Sequence, residues 1–373
     1  MNPRRIRRLA AAACVLLLIL TALALPRLTQ DVLPSLTGRE RTLLRIWVVN
    51  SPGGGQAWLK VQLRQFEKQH PGVSTYVRTV TATDLTAPDG ILPDVVLYMP
   101  GDVTEPEDFF LPLSGDMATR DGLLRKELLR CGRWQNQQYG LPLCWGAWVL
   151  AIDSALEPGT AVTPTPTTLL GRPAATRDAA ATSEPGYPLA AAQQADCALQ
   201  SPGGAALFTL SLLLEEQPSL PEGFGTLTSG EVYAAFQKRQ CATAMLTTGQ
   251  ATAFSGVVSS GSGFPFRIMT ADEVITDQVF LASVTADAPR EAALLLSHLA
   301  SADAQKALVS QGLHTVREDL TLYAAGMSAE VEKAAMHSLS AVNAYIPAET
   351  VHSAAWQCFQ GHVPLSEALL PLM

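Results

Sequence analysis

The chain has 373 residues, 47% of them hydrophobic and 16% charged, with a formal net charge of −8. Its length sets a prior of roughly two domains, and its composition excludes a disordered or low-complexity chain. Arg4, Arg5, Arg7, Arg8 and Arg27 lie in a stretch without acids, so the remainder is more acidic than the net charge states. An acidic body repels phosphate backbones, which argues against nucleic-acid binding.

Leu9 to Leu25 carries no charge and follows four arginines. It reads as an uncleaved membrane anchor with the body outside the cell, because the arginines stay on the cytoplasmic side. A cleaved signal peptide, with Ala22-Leu23-Ala24 as the small-residue site, is the alternative, and Cys14 gives a faint lipoprotein reading. Residues 28–42 follow as a polar stalk.

Leu43 to Val49 reads as a buried strand and Asn50 to Gly55 as a turn. Leu59, Leu63 and Phe66 then lie on one face of a helix that Pro71-Gly72 stops. Val73 to Val80 and Pro93 to Tyr98 are two further strands. Strands alternating with a helix point to βαβ units and a mostly parallel sheet. Residues 120–130 form a leucine-rich helix, Tyr139 to Pro142 a turn, and Trp148 to Ile152 a strand.

Residues 158–188 hold prolines at 158, 164, 166, 173, 185 and 188 among Thr and Ala, and read as a surface excursion. A helix from Gly203 to Leu214, a short helix from Glu231 to Phe236 and a strand from Ala242 to Leu246 follow. Val257 to Gly263, rich in Gly and Ser, reads as a mobile loop, and Val279 to Val284 as a strand. Asp287 is placed as the cap of a helix through His298. A helix from Asp303 ends at Gly312, and helices at 328–342, 350–360 and 364–371 complete the chain.

Cys131 and Cys144 are the close cysteine pair, either a clip before Trp145 or two buried free thiols. No CxxC, HExxH, GxSxG or SxxK motif occurs, and the six histidines show no ligand spacing. Neither a metal, a cofactor nor a catalytic residue is therefore expected.

Several segments, in order, resemble the family 1 extracellular solute-binding proteins, the maltose-binding-like group. They are Leu44 to Phe66 running on to His70-Pro71-Gly72-Val73, Pro93-Asp94-Val95-Val96 with Tyr98, and Tyr139-Gly140-Leu141-Pro142 before a strand ending at Asp153. Ala244-Met245 with Gly249, Leu299-Ala300-Ser301 with Ala304-Gln305 and Gly312 to Arg317, and Phe359-Gln360-Gly361 with Ser366 to Leu369 continue the match. Residues 154–202 depart from it.

The resemblance implies an α/β fold of two lobes around a ligand cleft. Residues 43–150 and 267–318 would form the first lobe, and 151–266 and 319–373 the second. It implies a monomeric, non-enzymatic receptor that captures a small polar solute, a carbohydrate by preference, for the permease subunits of an ABC importer. A membrane-anchored sensor on the same fold is the alternative, and an extracellular hydrolase is the rival from another class. Candidate ligand contacts are Asn50, Ser51, Tyr98 and Asp102 from the first lobe, Trp145 and Trp148 at the crossing, and Thr248 and Gln250 from the second. Tyr98 and Trp145 are expected to line one cleft, although Trp145 could instead pack under the hinge. Trp47 reads as core and Asp94 as a strand-end structural carboxylate. Gly53-Gly54-Gly55 is either a turn or an anion seat.

Overall fold

The structure is a computed structural model that describes residues 42–86, 93–113, 123–154, 199–200, 203–213, 224–225, 227–241 and 243–373. The apolar run 9–25, most of the stalk, the insert 158–188, Cys14 and Cys197 lie outside these residues. Among the described residues, no helix is long and apolar enough to cross a membrane.

The chain begins with β1 (Thr42–Val48), α1 (Gly55–Gln69), β2 (Val73–Thr79), α2 (Ala82–Thr86) and β3 (Val95–Tyr98). Next come α3 (Lys126–Cys131), the small pair β4 (Arg133–Trp134) and β5 (Gln137–Gln138), β6 (Leu141–Trp145) and β7 (Trp148–Asp153). The middle supplies β8 (Leu199–Gln200), α4 (Ala205–Leu213), α5 (Ser229–Gln237), β9 (Thr243–Thr247), α6 (Thr248–Ser259) and β10 (Phe266–Met269). The last third holds β11 (Val274–Thr276), β12 (Val279–Val284), α7 (Arg290–Leu299), α8 (Ala302–Lys306) and a 3-10 turn at Ala307–Gln311. It ends with α9 (Met327–His337), β13 (Leu339–Ala341), α10 (Ala348–Phe359) and α11 (Leu365–Leu369).

Two sheets organise these elements. The first has the order β2-β1-β3-β12-β6, with β1 parallel to β2 and β3 and with β12 antiparallel to β3 and β6. Only β12 opposes the common direction, so the sheet is mostly parallel. The second has the order β10-β7-β9-β8. β3 and β6 are buried along their whole length, which is why they read as continuous apolar runs rather than alternating ones.

The chain changes sheet at Gly146-Ala147, between β6 and β7, and again between β10 and β11. β7 and β10 both lie in the second sheet. Between the sheets β11 pairs with β13, and Thr276 Oγ1 donates to the Gly146 carbonyl at 2.6 Å. The segment 319–373, expected wholly in the second lobe, divides. α9, β13 and Tyr345 pack into the first core, while α10 and α11 pack with α4 in the second.

Gln305 braces the first lobe from within. Its Nε2 donates to the carbonyls of Leu143 and Leu299, and its Oε1 accepts from Thr315 Oγ1 and Val316 N, so a fully buried amide is fully used. Asp94 is structural, its Oδ2 accepting from Arg45 N. Cys131, Cys144 and Cys358 are free and buried, and Cys241 is buried. The Cys131–Cys144 clip is not formed.

Several local expectations change. Among the described residues of the helix placed at 120–130, Lys126 onward is helical, as part of Lys126–Cys131, and Leu124 instead bridges to Arg317. Of the Tyr139–Pro142 turn, Leu141 and Pro142 are the start of β6. Proline is tolerated there because β6 is an edge strand of its sheet. Residues 257–259, expected in a mobile loop, close α6, whose Thr- and Gly-rich sequence masks it. The helix expected over 328–342 stops at His337 and gives way to β13. Asp287 does not cap α7, whose N-cap is Pro289 without a side-chain bond.

Candidate functional site

A cavity of about 470 Å³ opens where elements of the two sheets meet. Its lining includes Pro100, from the loop after β3, Asp277, between β11 and β12, Gly203-Gly204, before α4, and Glu349 and His352, from the first turns of α10.

The lining is shaped by its backbone. Gly203 and Gly204 have φ of +81° and +55°, a left-handed pair that side chains disfavour. A Cβ on Gly203 would meet His352 Nδ1 at 2.5 Å, so the glycine lets the imidazole approach. The Gly204 N–H points to His352 Nδ1 at 3.5 Å, and the ring lies over Trp356. Asp277 is held from three directions: Trp148 Nε1 and Gln278 Nε2 donate to Oδ1, and Ala205 N, at the start of α4, donates to Oδ2. A carboxylate at a helix N-terminus is electrostatically favoured, and here it also answers an otherwise unpaired N–H.

Among the described lining residues the ionisable groups are Asp277, Glu349 and His352, and neither arginine nor lysine is present. The wall therefore suits a neutral, hydroxyl-rich solute or a cation better than an anion. Apart from His352 it offers no ring face.

The residues expected to bind ligand fall into three groups. Tyr98 and Trp145 are in the core, each with 0% exposure, and do not line this cavity. The Tyr98 hydroxyl lies 2.8 Å from Ser283 Oγ and 2.9 Å from the Tyr345 hydroxyl, and its ring stacks on Phe110. Burial pushes its ionisation well above the usual tyrosine range. Trp145 stacks on His314 with ring centroids 4.5 Å apart, and its Nε1 donates to the Thr315 carbonyl. It packs under the crossing, which is the alternative reading of that residue.

Trp148, Thr248 and Gln250 form the second group, and all three hold the frame. Trp148 is 5% exposed and orients Asp277. Thr248 Oγ1 accepts from Ala147 N at the crossing. Gln250 closes a capping box with Thr247, and its Nε2 donates to Ser229, so its amide is already used.

Asn50, Ser51 and Asp102 are the third group, on loops at the carboxyl ends of β1 and β3, the edge where open α/β sheets present ligands. Asp102 Oδ2 accepts from Met99 N at 2.8 Å. Burial raises its carboxyl to about 6, partly offset by hydrogen bonds from Met99 N and the Asn50 side chain. The Asn50 side chain and Asp102 thus meet. Gly53-Gly54-Gly55 is a turn, with Gly55 N donating to Pro52 O and Gly54 at φ +86°.

Sequence reasoning missed every residue lining the cavity. Gly203-Gly204 directly before an apolar helix was the available signal, and Asp277 between two short strands was another.

The chain matches no family model and no curated protein. Its fold does match solved structures. The GacH receptor of Streptomyces glaucescens, solved unliganded and with acarbose, is 15% identical with a TM-score of 0.60, over 88% of this chain and 95% of that one. Maltose-bound MalE3 of T. maritima is 14% identical with a TM-score of 0.61, over 88% and 97%. CpMnBP1 with mannobiose bound is 14% identical with a TM-score of 0.58, over 88% and 98%. The chain has the two-lobed α/β fold of the maltose-binding-like solute-binding proteins.

Proposed function

We propose that this chain is a solute-binding receptor that takes a small, neutral, hydroxyl-rich solute, a carbohydrate by preference, into the cavity between Pro100, Gly204 and His352. The observation that carries this reading is the cavity itself, where elements of the two sheets meet, lined by the polar groups of Asp277, Glu349 and His352. Glu349 would accept hydroxyl protons, His352 would donate or accept, and the Gly203-Gly204 backbone would admit close approach. Such a site binds by convergent hydrogen bonds. Fold neighbours bound to acarbose, maltose and mannobiose support the carbohydrate class.

Capture without turnover is the proposed activity, with the permease subunits of an ABC importer as partners and the outer face of the membrane as the place of work. A thermal-shift screen of the full chain against monosaccharides, disaccharides, polyamines and phosphate tests the ligand class. A ligand at a hundred times its Kd adds about 2.7 kcal/mol of stability. Stabilisation by phosphate alone would refute the reading. Turnover of a chromogenic glycoside would favour the hydrolase.

A further inference from the structure

The two sheets also meet at a second place, and there the contact is backbone on backbone. The loop after β1 follows a strand of the first sheet, and α6 follows β9 of the second, with its Ala251 packed in the first core. A Cβ built on Gly249, in the first turn of α6, would collide with the Gly53 carbonyl, and one on Gly312 would collide with the Thr252 side chain. A Cβ on Gly53 would sit 3.6 Å from Gln250 N and from Thr247 Oγ1. Gly146, at the crossing, lies against Thr248 Oγ1.

Apart from Thr248, which exchanges hydrogen bonds with Ala147 at the crossing, the polar groups named in this contact have partners within their own segments. Gln250 is bonded to Thr247 and Ser229, and Gly55 N to Pro52 O. Surfaces that touch mainly by shape can part without leaving buried donors or acceptors unpaired. The contact is therefore suited to forming and breaking as two lobes close and open.

We propose that Gly53, Gly249 and Gly312 form the closure seam of the cleft. In the closed arrangement the start of α6 seats on the loop after β1 and blocks that end, so a solute is confined to the Pro100–Gly204–His352 cavity. The seam limits ligand length, because an extended chain cannot run between Gly53 and Gly249. This inference rests on the reading of the protein as a two-lobed receptor, but its structural test needs no ligand.

The test compares Gly249→Ala with Gly256→Ala in the full chain. Both are glycine-to-alanine changes on α6, and a Cβ on Gly256 meets nothing within 4 Å. Amide hydrogen exchange is followed over residues 50–58 and 248–252. The expected result is exchange at least about fivefold faster in both segments for Gly249→Ala, with the strands of both sheets unchanged and Gly256→Ala like the parent. Parent-like exchange in Gly249→Ala would overturn the seam. So would acceleration spread through β9 and β7, which would mean that the glycine serves the folding of the second lobe. A parallel thermal-shift series with glucose, maltose, maltotriose and maltohexaose expects Gly249→Ala to gain response to the longer sugars relative to the parent. No response to any sugar in either protein would count against the carbohydrate reading while the exchange result still decides the seam.

Discussion

The phenolic oxygens of Tyr98 and Tyr345 lie 2.9 Å apart in the core, joining the end of β3 to a residue 247 positions later. Tyr98 also reaches Ser283 Oγ at 2.8 Å, and Ser283 Oγ donates to the Tyr139 carbonyl at 2.8 Å. Gly140 makes room, since a Cβ there would sit 2.6 Å from the Tyr98 hydroxyl. Three hydroxyls in a row form a relay that ends on a carbonyl, and deleting the middle one leaves both neighbours short of a partner. Tyr98→Phe is expected to destabilise the fold by about 1–3 kcal/mol. Denaturant unfolding measures this, and solute affinity should not change. A lost affinity with unchanged stability would return Tyr98 to the binding surface.

Asp102 gives a pH dependence of definite sign. Its carboxyl is raised from 3.8 to about 6, so the folded state holds a proton that the unfolded state has released. Its contribution to stability is present at acid pH and is lost as pH rises from about 4 to about 6. Asp102→Asn keeps an acceptor for Met99 N and removes the charge. That variant should be more stable than the parent at pH 7, by roughly 1–3 kcal/mol, and equal to it near pH 4. Parallel stability curves for the two proteins would contradict this.

His314 acts in the opposite direction. It is wholly buried, stacked on Trp145, with Nδ1 3.7 Å from Glu332 Oε1. Burial depresses its protonation, Glu332 opposes that, and Arg125 adds to it. Its stabilising contribution is complete above the unfolded histidine value of about 6.5 and is lost as pH falls below it. The His314 contribution is lost as pH falls below about 6.5, opposite in sign to that of Asp102, and His314→Gln should remove this loss while leaving the Asp102 effect in place. Urea midpoints across this range are the measurement.

Gln305→Ala should be the most damaging of these changes. It strands the Leu143 and Leu299 carbonyls and the Val316 N–H together, for about 2–4 kcal/mol. A loss under 0.5 kcal/mol would show that the brace is redundant.

The first sheet was legible because its signals are local. The apolar run Leu43–Val49, the spacing of Leu59, Leu63 and Phe66, and Pro93 to Tyr98 each state an element within a few residues. α6 was not, since Thr, Gly and Val depress helix propensity. The capping box of Thr247 and Gln250 was the clue, yet Gln250 was read, with Thr248, as a ligand contact. Tyr98 and Trp145 show the limit for the site. Being aromatic at a strand end suits a cleft or a core equally. Only Tyr345 and His314, each well over a hundred residues away in sequence, decide for the core. The cavity was illegible for the same reason. Its chemistry is one carboxylate from a bend, one glycine pair and one helix turn, brought together by tertiary packing.

Isothermal titration calorimetry of the full chain tests the central claim most directly, with maltose and mannobiose as titrants and Glu349→Ala, His352→Ala and Tyr98→Phe as variants. The account expects saturable binding with one site per chain, weakened at least about tenfold by Glu349→Ala and by His352→Ala and unchanged in Tyr98→Phe. Binding that ignores both cavity variants, or no heat from either sugar, would contradict it.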